Sequence, residues 1–379
     1  MKRWHLAKQK GFFKIVAVGL GITLCYLAVM KTIPLFSTVL AQTALFSASV
    51  SFGFAVGEVI AGIGDADPLE NDVEASGDMV ETLPESSTEE ITESSTQETF
   101  VDLDDQTLTK PENAGVVKRQ QYKGGGSGTY IALEHGYIKN STKVSTETIQ
   151  QTIAQKPAFS ILADEKTPEV LIMHSHATES YQPGIYDWFD PSYPSRNRDT
   201  QKNMCRVGDE IAKQLEAAGI GVIHDKTLHD YPSYNGSYER SAETVKAYLE
   251  KYPSIKVVLD VHRDAIQPDT NTIVAPTTTI NGKSCAQVMI ISGADDGTMN
   301  MPNYLENLKL SAALQNQMEQ DYPTLTRPVM FSYRKYNQDL TTGSILLEMG
   351  GHANSLSEAV YCGELVGKSL AKTLLSLKE

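Results

Sequence analysis

Two histidines and a glutamate close one short apolar run. Val170-Leu171-Ile172-Met173 leads into His174, Ser175 and His176, and Glu179 follows three residues after the second histidine. Imidazole and carboxylate are zinc donors, and a His-x-x-Glu pair can place both on one ion. Two further apolar runs lead into similar chemistry. Lys256–Val261 ends in His262-Arg263-Asp264, and Ile345-Leu346-Leu347 ends in Glu348. His176, Glu179 and His262 would make a His2Glu set, and three protein donors with one open position is the arrangement of catalytic zinc. His174 is the alternative to His176. Zinc activates water and polarises a carbonyl, while a nearby carboxylate moves the proton to a leaving amine. Glu348 fits that last role.

The neighbours of these residues have readings of their own. Asp260 and Asp264 flank His262 and could hold a ligand in orientation by hydrogen bonds. Arg263 could clamp a substrate carboxylate with two parallel hydrogen bonds, or form a structural ion pair. Asn354 could bind substrate or cap a helix. His224, His229 and His352 are lone histidines with no ligand spacing around them.

Chemistry of this kind needs elements that bring distant residues together, and the chain after Tyr130 supplies them. Short apolar runs at Val170–Met173, Ile220–Ile223, Lys256–Val261, Gln287–Ser292 and Ser344–Leu347 read as strands. Helical periodicity fills 146–154, 203–218, 238–251, 302–320 and 356–377. Gly219 stops the second of these helices, and Asn281-Gly282 is a turn signal before the fourth strand. Strands alternating with helices predict an α/β fold with a mixed, largely parallel central sheet flanked by helices. Sites in such folds sit at the carboxyl ends of strands.

The remainder of the chain carries no such pattern. Residues 1–14 form a basic tail with Lys2, Arg3, Lys8, Lys10 and Lys14, and 15–31 read as a transmembrane helix. The positive flank predicts the N-terminus in the cytoplasm and the rest outside. A cleaved signal peptide is the rival reading. Residues 32–63 are an apolar Ser/Ala/Gly-rich juxtamembrane segment, and 64–128 read as a disordered acidic linker. Fifteen Asp or Glu and no Lys or Arg lie between Asp65 and Asp105, so this stretch accounts for the net charge of −14. About sixty-five residues of such coil reach on the order of 40–50 Å. The folded domain is expected over 129–379. It has no basic surface pattern, which argues against nucleic acid as a partner. Four scattered cysteines, Cys25, Cys205, Cys285 and Cys362, form no CxxC and read as small buried hydrophobes.

Three ordered stretches together resemble the stage II sporulation protein P family. They are Val170–Tyr181, Leu259–Asp264, and Tyr336-Asn337-Gln338-Asp339-Leu340 with Leu346–Gly351 and Asn354. Asn203, Val207-Gly208, Tyr231 and Ser241 fit the same pattern. The resemblance covers roughly Tyr130 to the C-terminus, and the anchor and polar linker agree with the family layout. It implies a membrane-anchored, zinc-dependent peptidoglycan hydrolase acting in sporulation and forespore engulfment. It also implies kinship with N-acetylmuramoyl-L-alanine amidases, with an endopeptidase activity on stem peptides. The implied partners are peptidoglycan and the stage II sporulation proteins D and M. Zinc carboxypeptidases carry a similar HxxE…H…E layout, which favours Glu179 as third ligand. In the amidase relatives the glutamate ligand lies further along, before the first long helix, where this chain has Asn203 and no glutamate before Glu210. A zinc carboxypeptidase trimming stem peptides and a wall-binding module without catalysis are the competing functions.

Overall fold

The structure is a computed structural model and describes residues 108–126 and 128–379. The expected basic tail, transmembrane helix, juxtamembrane segment and most of the acidic linker lie outside the described residues. Among the described residues no helix is long and apolar enough to cross a membrane.

The described residues fold as a mixed α/β structure. Its main sheet has eight strands: β2 (Tyr130–Ala132), β3 (Tyr137–Asn140), β4 (Pro168–Met173), β6 (Gly221–His224), β7 (Val257–Asp264), β10 (Val288–Gly293), β11 (Val329–Ser332) and β12 (Ser344–Gly351). They run in the order β2-β3-β11-β10-β12-β7-β4-β6. Most neighbours are parallel, while β2–β3 and β10–β12 are antiparallel. The helices are α1 (Thr146–Ile153), α2 (Met204–Ala217), α3 (Ser237–Lys251), α4 (Tyr304–Asp321) and α5 (Leu356–Leu375). Two of these starts follow directly from local chemistry. The Asn203 side chain accepts from Cys205 N to cap α2, and Ser355 with Glu358 forms a capping box at α5.

Strand alternation divides the central residues between two faces. Val170, Ile172, Val257, Leu259, Val261, Ile345 and Leu347 join the largest core, with Met204, Val207, Ile211 and Leu215 of α2 and Leu365 and Leu370 of α5. Leu171, Met173 and Val258 turn the other way and pack against Val245 of α3. Asp260, His262 and Glu348 continue this second face. The site is therefore built under α3, opposite the α2–α5 layer.

Two expectations are corrected. β7 and β12 run through His262 and Glu348 rather than ending before them, so both residues lie inside strands and neighbour each other in register. The linker was expected to reach residue 128, yet β1 (Gly115–Gln120) is already part of the fold. It joins a second sheet with β5 (Trp188–Phe189), β8 (Thr272–Ile280) and β9 (Lys283–Ala286), in the order β5-β1-β8-β9. β1 pairs in parallel with β8, Val117 is buried against Ile273 and Ala275, and Arg119 pairs with Glu358 of α5. Cys205, Cys285 and Cys362 are buried free thiols, as expected of small hydrophobes.

Candidate metal centre

β4 stops at Met173, and the next residues turn. His176, Glu179 and His262 come together there, each offering one donor atom, all within 4.8 Å of one another and all buried. His176 Nδ1 lies 3.8 Å from Glu179 Oε1, and His262 Nδ1 lies 3.6 Å from Glu179 Oε2. The loop that carries Glu179 is tied down by the start of α2, where Met204 N donates to Glu179 O. Glu179 also accepts from the backbone N–H of Arg263.

Both imidazoles are held by their surroundings. Asp260 sits two residues before His262 on the same face, and its Oδ1 accepts from His262 Nε2 at 2.7 Å. The same carboxylate accepts from Ser175 N and Ser175 Oγ. This fixes the far nitrogen of His262 as the donor and leaves Nδ1 facing Glu179. Three aromatic rings pack around His176: Tyr234 stacks on it at 4.5 Å, and Tyr238 and His262 meet it edge-on.

The charges follow from this packing. Burial alone would raise the Glu179 pKa, but Arg263, His262 and His176 outweigh it and keep the carboxylate ionised. Burial would also lower His262, yet Asp260 lifts it to about 9. His176 is pushed down to about 4, chiefly by burial and then by His262. Glu348 is held well above its ordinary value by burial first and by Asp264 second.

These residues fit a metal ion on observations independent of any ligand. His176 Nε2 is buried without a hydrogen-bond partner, a costly state for an imidazole nitrogen. One anionic and two imidazole donors converge, and the far side of His262 is buttressed by a carboxylate. Glu348 Oε2, beside them, is also buried and unpartnered.

The other expected site residues are placed differently. His174 lies on the opposite face, under α2. Its Nδ1 donates to Val261 O and its Nε2 meets His224 Nε2 at 2.9 Å, so it is removed from the cluster. The reason is alternation: His174 continues the Val170–Ile172 face, while the turn after it brings His176 round to the other. Arg263, expected as a clamp for a substrate carboxylate, is already engaged within the fold. Its guanidinium is buried and donates to the backbone carbonyls of Ser180, Ser195 and Asp264, staking the Glu179 loop to β7. Asn354 is fully buried and closes the turn after β12, accepting from Gly351 N and donating to Pro276 O and Glu358. Asp264, expected to hold a ligand in orientation, has its carboxylate paired with Arg327. His229 donates to His174 O, which makes it structural.

Three residues at the site carried no sequence signal that singled them out, Arg196, Tyr234 and Tyr238, while Tyr336 entered only as part of the stretch that carries the resemblance. Tyr238 stacks parallel to both His262 and Tyr336. Arg196 pairs with buried Asp230, whose carboxylate also accepts from Thr178. Such residues acquire a role only through contacts across the sequence.

Residues 71–371 match the family described as Stage II sporulation protein P. The Stage II sporulation protein P of Bacillus subtilis (strain 168) is 34% identical over 240 residues, which are 60% of this chain and 56% of that relative. The match thus spans a little over half of the relative's length. Among solved structures, N-acetylmuramoyl-L-alanine amidase AmiC2 of Nostoc punctiforme overlaps with a TM-score of 0.33 at 14% identity, over 55% of this chain and 96% of its own. The CwlD amidase from Clostridioides difficile, solved in complex with the GerS lipoprotein, overlaps with a TM-score of 0.33 at 13% identity, over 55% and 98%.

Proposed function

The chain belongs to the stage II sporulation protein P family, and from that membership we propose that it is a zinc-dependent peptidoglycan hydrolase of sporulation, cutting the amide between the glycan lactyl group and the first stem-peptide residue. The observation that carries the reading is the buried His176–Glu179–His262 cluster with an unpartnered Glu348 carboxylate on the same sheet face. His176, Glu179 and His262 would hold the ion. Zinc, when bound, supplies a Lewis acid that polarises the amide carbonyl and activates water.

The chain's own groups do the remaining work. Glu348 accepts the proton of the attacking water and delivers it to the departing amine nitrogen, so amide and water become carboxylate and amine. Burial makes its ionised form the stronger base and its protonated form the persistent carrier, while a cation held by His176, Glu179 and His262 would favour the ionised form that the first half needs. Asp260 keeps His262 in one tautomer and orientation throughout. Arg263 holds the Glu179 loop in place through Ser180 and Ser195. Tyr234 and Tyr238 keep bulk water from His176.

The carboxypeptidase reading needs a pocket for a free C-terminal carboxylate, and Arg263, its candidate clamp, has its donors committed to backbone. A pure binding module leaves the raised, unpartnered Glu348 without a purpose. Endopeptidase action on crosslinked stems, anchorage by residues 15–31 with the hydrolase domain outside the cell, and assembly with the stage II sporulation proteins D and M belong to the same proposal, on the family resemblance. The test is Glu348→Gln. Metal content and wall binding are expected to stay, while hydrolysis of purified wall falls by about 10²–10⁴. Undiminished hydrolysis removes Glu348 from the mechanism. New lactyl ends among the wild-type products identify an amidase; new peptide ends alone identify an endopeptidase.

A further inference from the structure

A cleft of about 370 Å³ opens next to the loop that carries the candidate ligands, lined by Thr178, Arg196, Arg198, Asp230 and Tyr231 among others. Thr178 lies between His176 and Glu179 in sequence, so the cleft shares a wall with the candidate centre. The connection is also physical. Arg196 lies over the Tyr234 ring at 4.7 Å, and Tyr234 is stacked on His176. One ring therefore separates the cleft's first cation from a candidate metal ligand.

The two arginines differ in what they have to spend. Arg196 is neutralised: its Nη1 donates to Asp230 Oδ2 at 2.6 Å and to Thr178 Oγ1. Arg198 is exposed and has no carboxylate partner among the described residues. It is nevertheless held in place. Its Nη1 donates to Tyr231 Oη at 2.9 Å, and its guanidinium lies 4.9 Å over the Tyr231 ring. A guanidinium fixed by an aromatic face keeps donors in a planar fork, the geometry that matches a carboxylate. The lining charges, Arg196 and Arg198 against Asp230, leave the cleft one positive charge in excess.

We infer that Arg198 and this cleft bind a free carboxylate of the stem peptide, on the peptide side of the scissile amide. The inference rests on the hydrolase reading, because peptidoglycan stems carry free carboxylates within a few residues of their first amide. The guanidinium already covers the face of Tyr231, which favours ionic recognition over stacking of a sugar ring. Arg196, pinned by Asp230, shapes the wall, and Arg198 supplies the unpaired charge. Arg198 is thus a binding residue that sets specificity, and it touches none of the reacting atoms.

The experiment compares a disaccharide tripeptide with free stem carboxylates and the same compound with those carboxylates amidated. Binding and hydrolysis are both measured with the full chain, as wild type, Arg198→Gln and Arg198→Lys. The wild type is expected to bind the free acid about tenfold tighter, the worth of one charge-assisted hydrogen bond to a carboxylate. The preference should appear in KM, with kcat alike for the two compounds. Arg198→Gln should lose the preference with an unchanged thermal midpoint and unchanged kcat, and Arg198→Lys should keep part of it. An Arg198→Gln chain that still prefers the free acid overturns the inference, as does a loss confined to kcat. A wild type that hydrolyses both compounds equally well sinks the cleft and spares the hydrolase reading. A wild type that binds the free acid selectively through Arg198 but cuts neither compound does the reverse.

Discussion

Replacing Asp260 with asparagine should reverse the order of metal affinities between high and neutral pH. In the wild type, Asp260 Oδ1 accepts from Ser175 N and His262 Nε2, and Oδ2 accepts from Ser175 Oγ. In the asparagine variant the retained oxygen can keep the first two bonds, while the new amide donates to Ser175 Oγ. Ser175 Oγ then passes its own proton to Ser241 Oγ, 2.7 Å away, and Ser241 in turn donates to Tyr238 O. The network survives, and only the negative charge behind His262 is lost. A charge-assisted hydrogen bond exceeds a neutral one by about 1.4 kcal/mol, so the bound metal should be held about tenfold less tightly.

The same charge also holds a proton. In the metal-free chain Asp260 lifts His262 to about 9, against burial, which lowers it. A metal must displace that proton, so wild-type affinity should fall about tenfold per pH unit below 9. Without the carboxylate, burial dominates, His262 is neutral at pH 7 and the variant has no proton to displace. Above pH 9 the wild type should therefore bind about tenfold tighter, near pH 8 the two should be equal, and at pH 7 the variant should be about tenfold tighter. Zinc competition against a chelating fluorophore in buffered-metal solutions, at pH 7, 8 and 9.5, measures this directly. A constant ratio of affinities across those pH values refutes the reasoning. So does an unchanged affinity at pH 9.5, because Asp260 would then not support His262 at all.

Two further outcomes follow from the packing around the site. Gly208→Ala should destabilise the fold by about 1–2 kcal/mol in urea unfolding, since overpacking costs more than the alanine gains in helix propensity. Its Cβ would stand 2.6 Å from His224 Nε2 and 2.9 Å from His174 Nε2; a gain in stability would show that this pair is free to move aside. His352 is pushed down to about 4 by burial and then by Arg263. The unfolded chain therefore binds the extra proton first, and stability is lost as pH falls from about 6.5 towards 4, by at most about 3 kcal/mol for this residue. Urea unfolding of His352→Gln at pH 7 and pH 4.5 should show a smaller acid loss than the wild type, and an equal loss would place the sensitivity elsewhere.

The α/β layout was legible because its strong elements are local. Val170–Met173, Lys256–Val261 and Ser344–Leu347 announce buried strands by composition alone, and Asn203 and Gly219 mark the ends of α2. The second sheet was not legible, because β1 draws its stability from β8, more than 150 residues away in sequence. Lys118, Arg119 and Gln120 look like linker until Arg119 is seen against Glu358. His176, Glu179 and His262, which the fold brings together, could be nominated from type and spacing with His174 as the alternative, and Glu179 was favoured by the zinc-carboxypeptidase layout. The roles of Arg263 and Asn354 could not, since a guanidinium that clamps a substrate and one that stakes a loop are the same residue type. Burial decides between them, and burial is a property of the fold. Arg196 and Arg198 were silent for the complementary reason: they sit in an irregular loop, and their meaning comes from Tyr234 and Tyr231 about thirty-five residues on.

His174 and His176 show how far register outranks residue type. Both are buried imidazoles at the end of one strand. The strand's last alternation sends His174 to the side of Val170 and Ile172, where α2 can approach only because residue 208 is glycine. There both of its nitrogens are engaged, one by Val261 O and one by His224, and no lone pair points at Glu179. Ser175 points to the opposite side and binds Asp260, which pins the strand end to β7. The chain then turns, and His176 reaches that same side with Nε2 unpartnered. A shift of one residue in the strand would exchange the two faces and bring His174 to Asp260. The β4–β7 pairing from Val170–Val257 to Met173–Asp260 is what prevents it, and with it the apolar residues Ile172 and Leu171 that commit each face to its own core. The position of the candidate centre is thus a consequence of hydrophobic register, imposed several residues before the first donor atom.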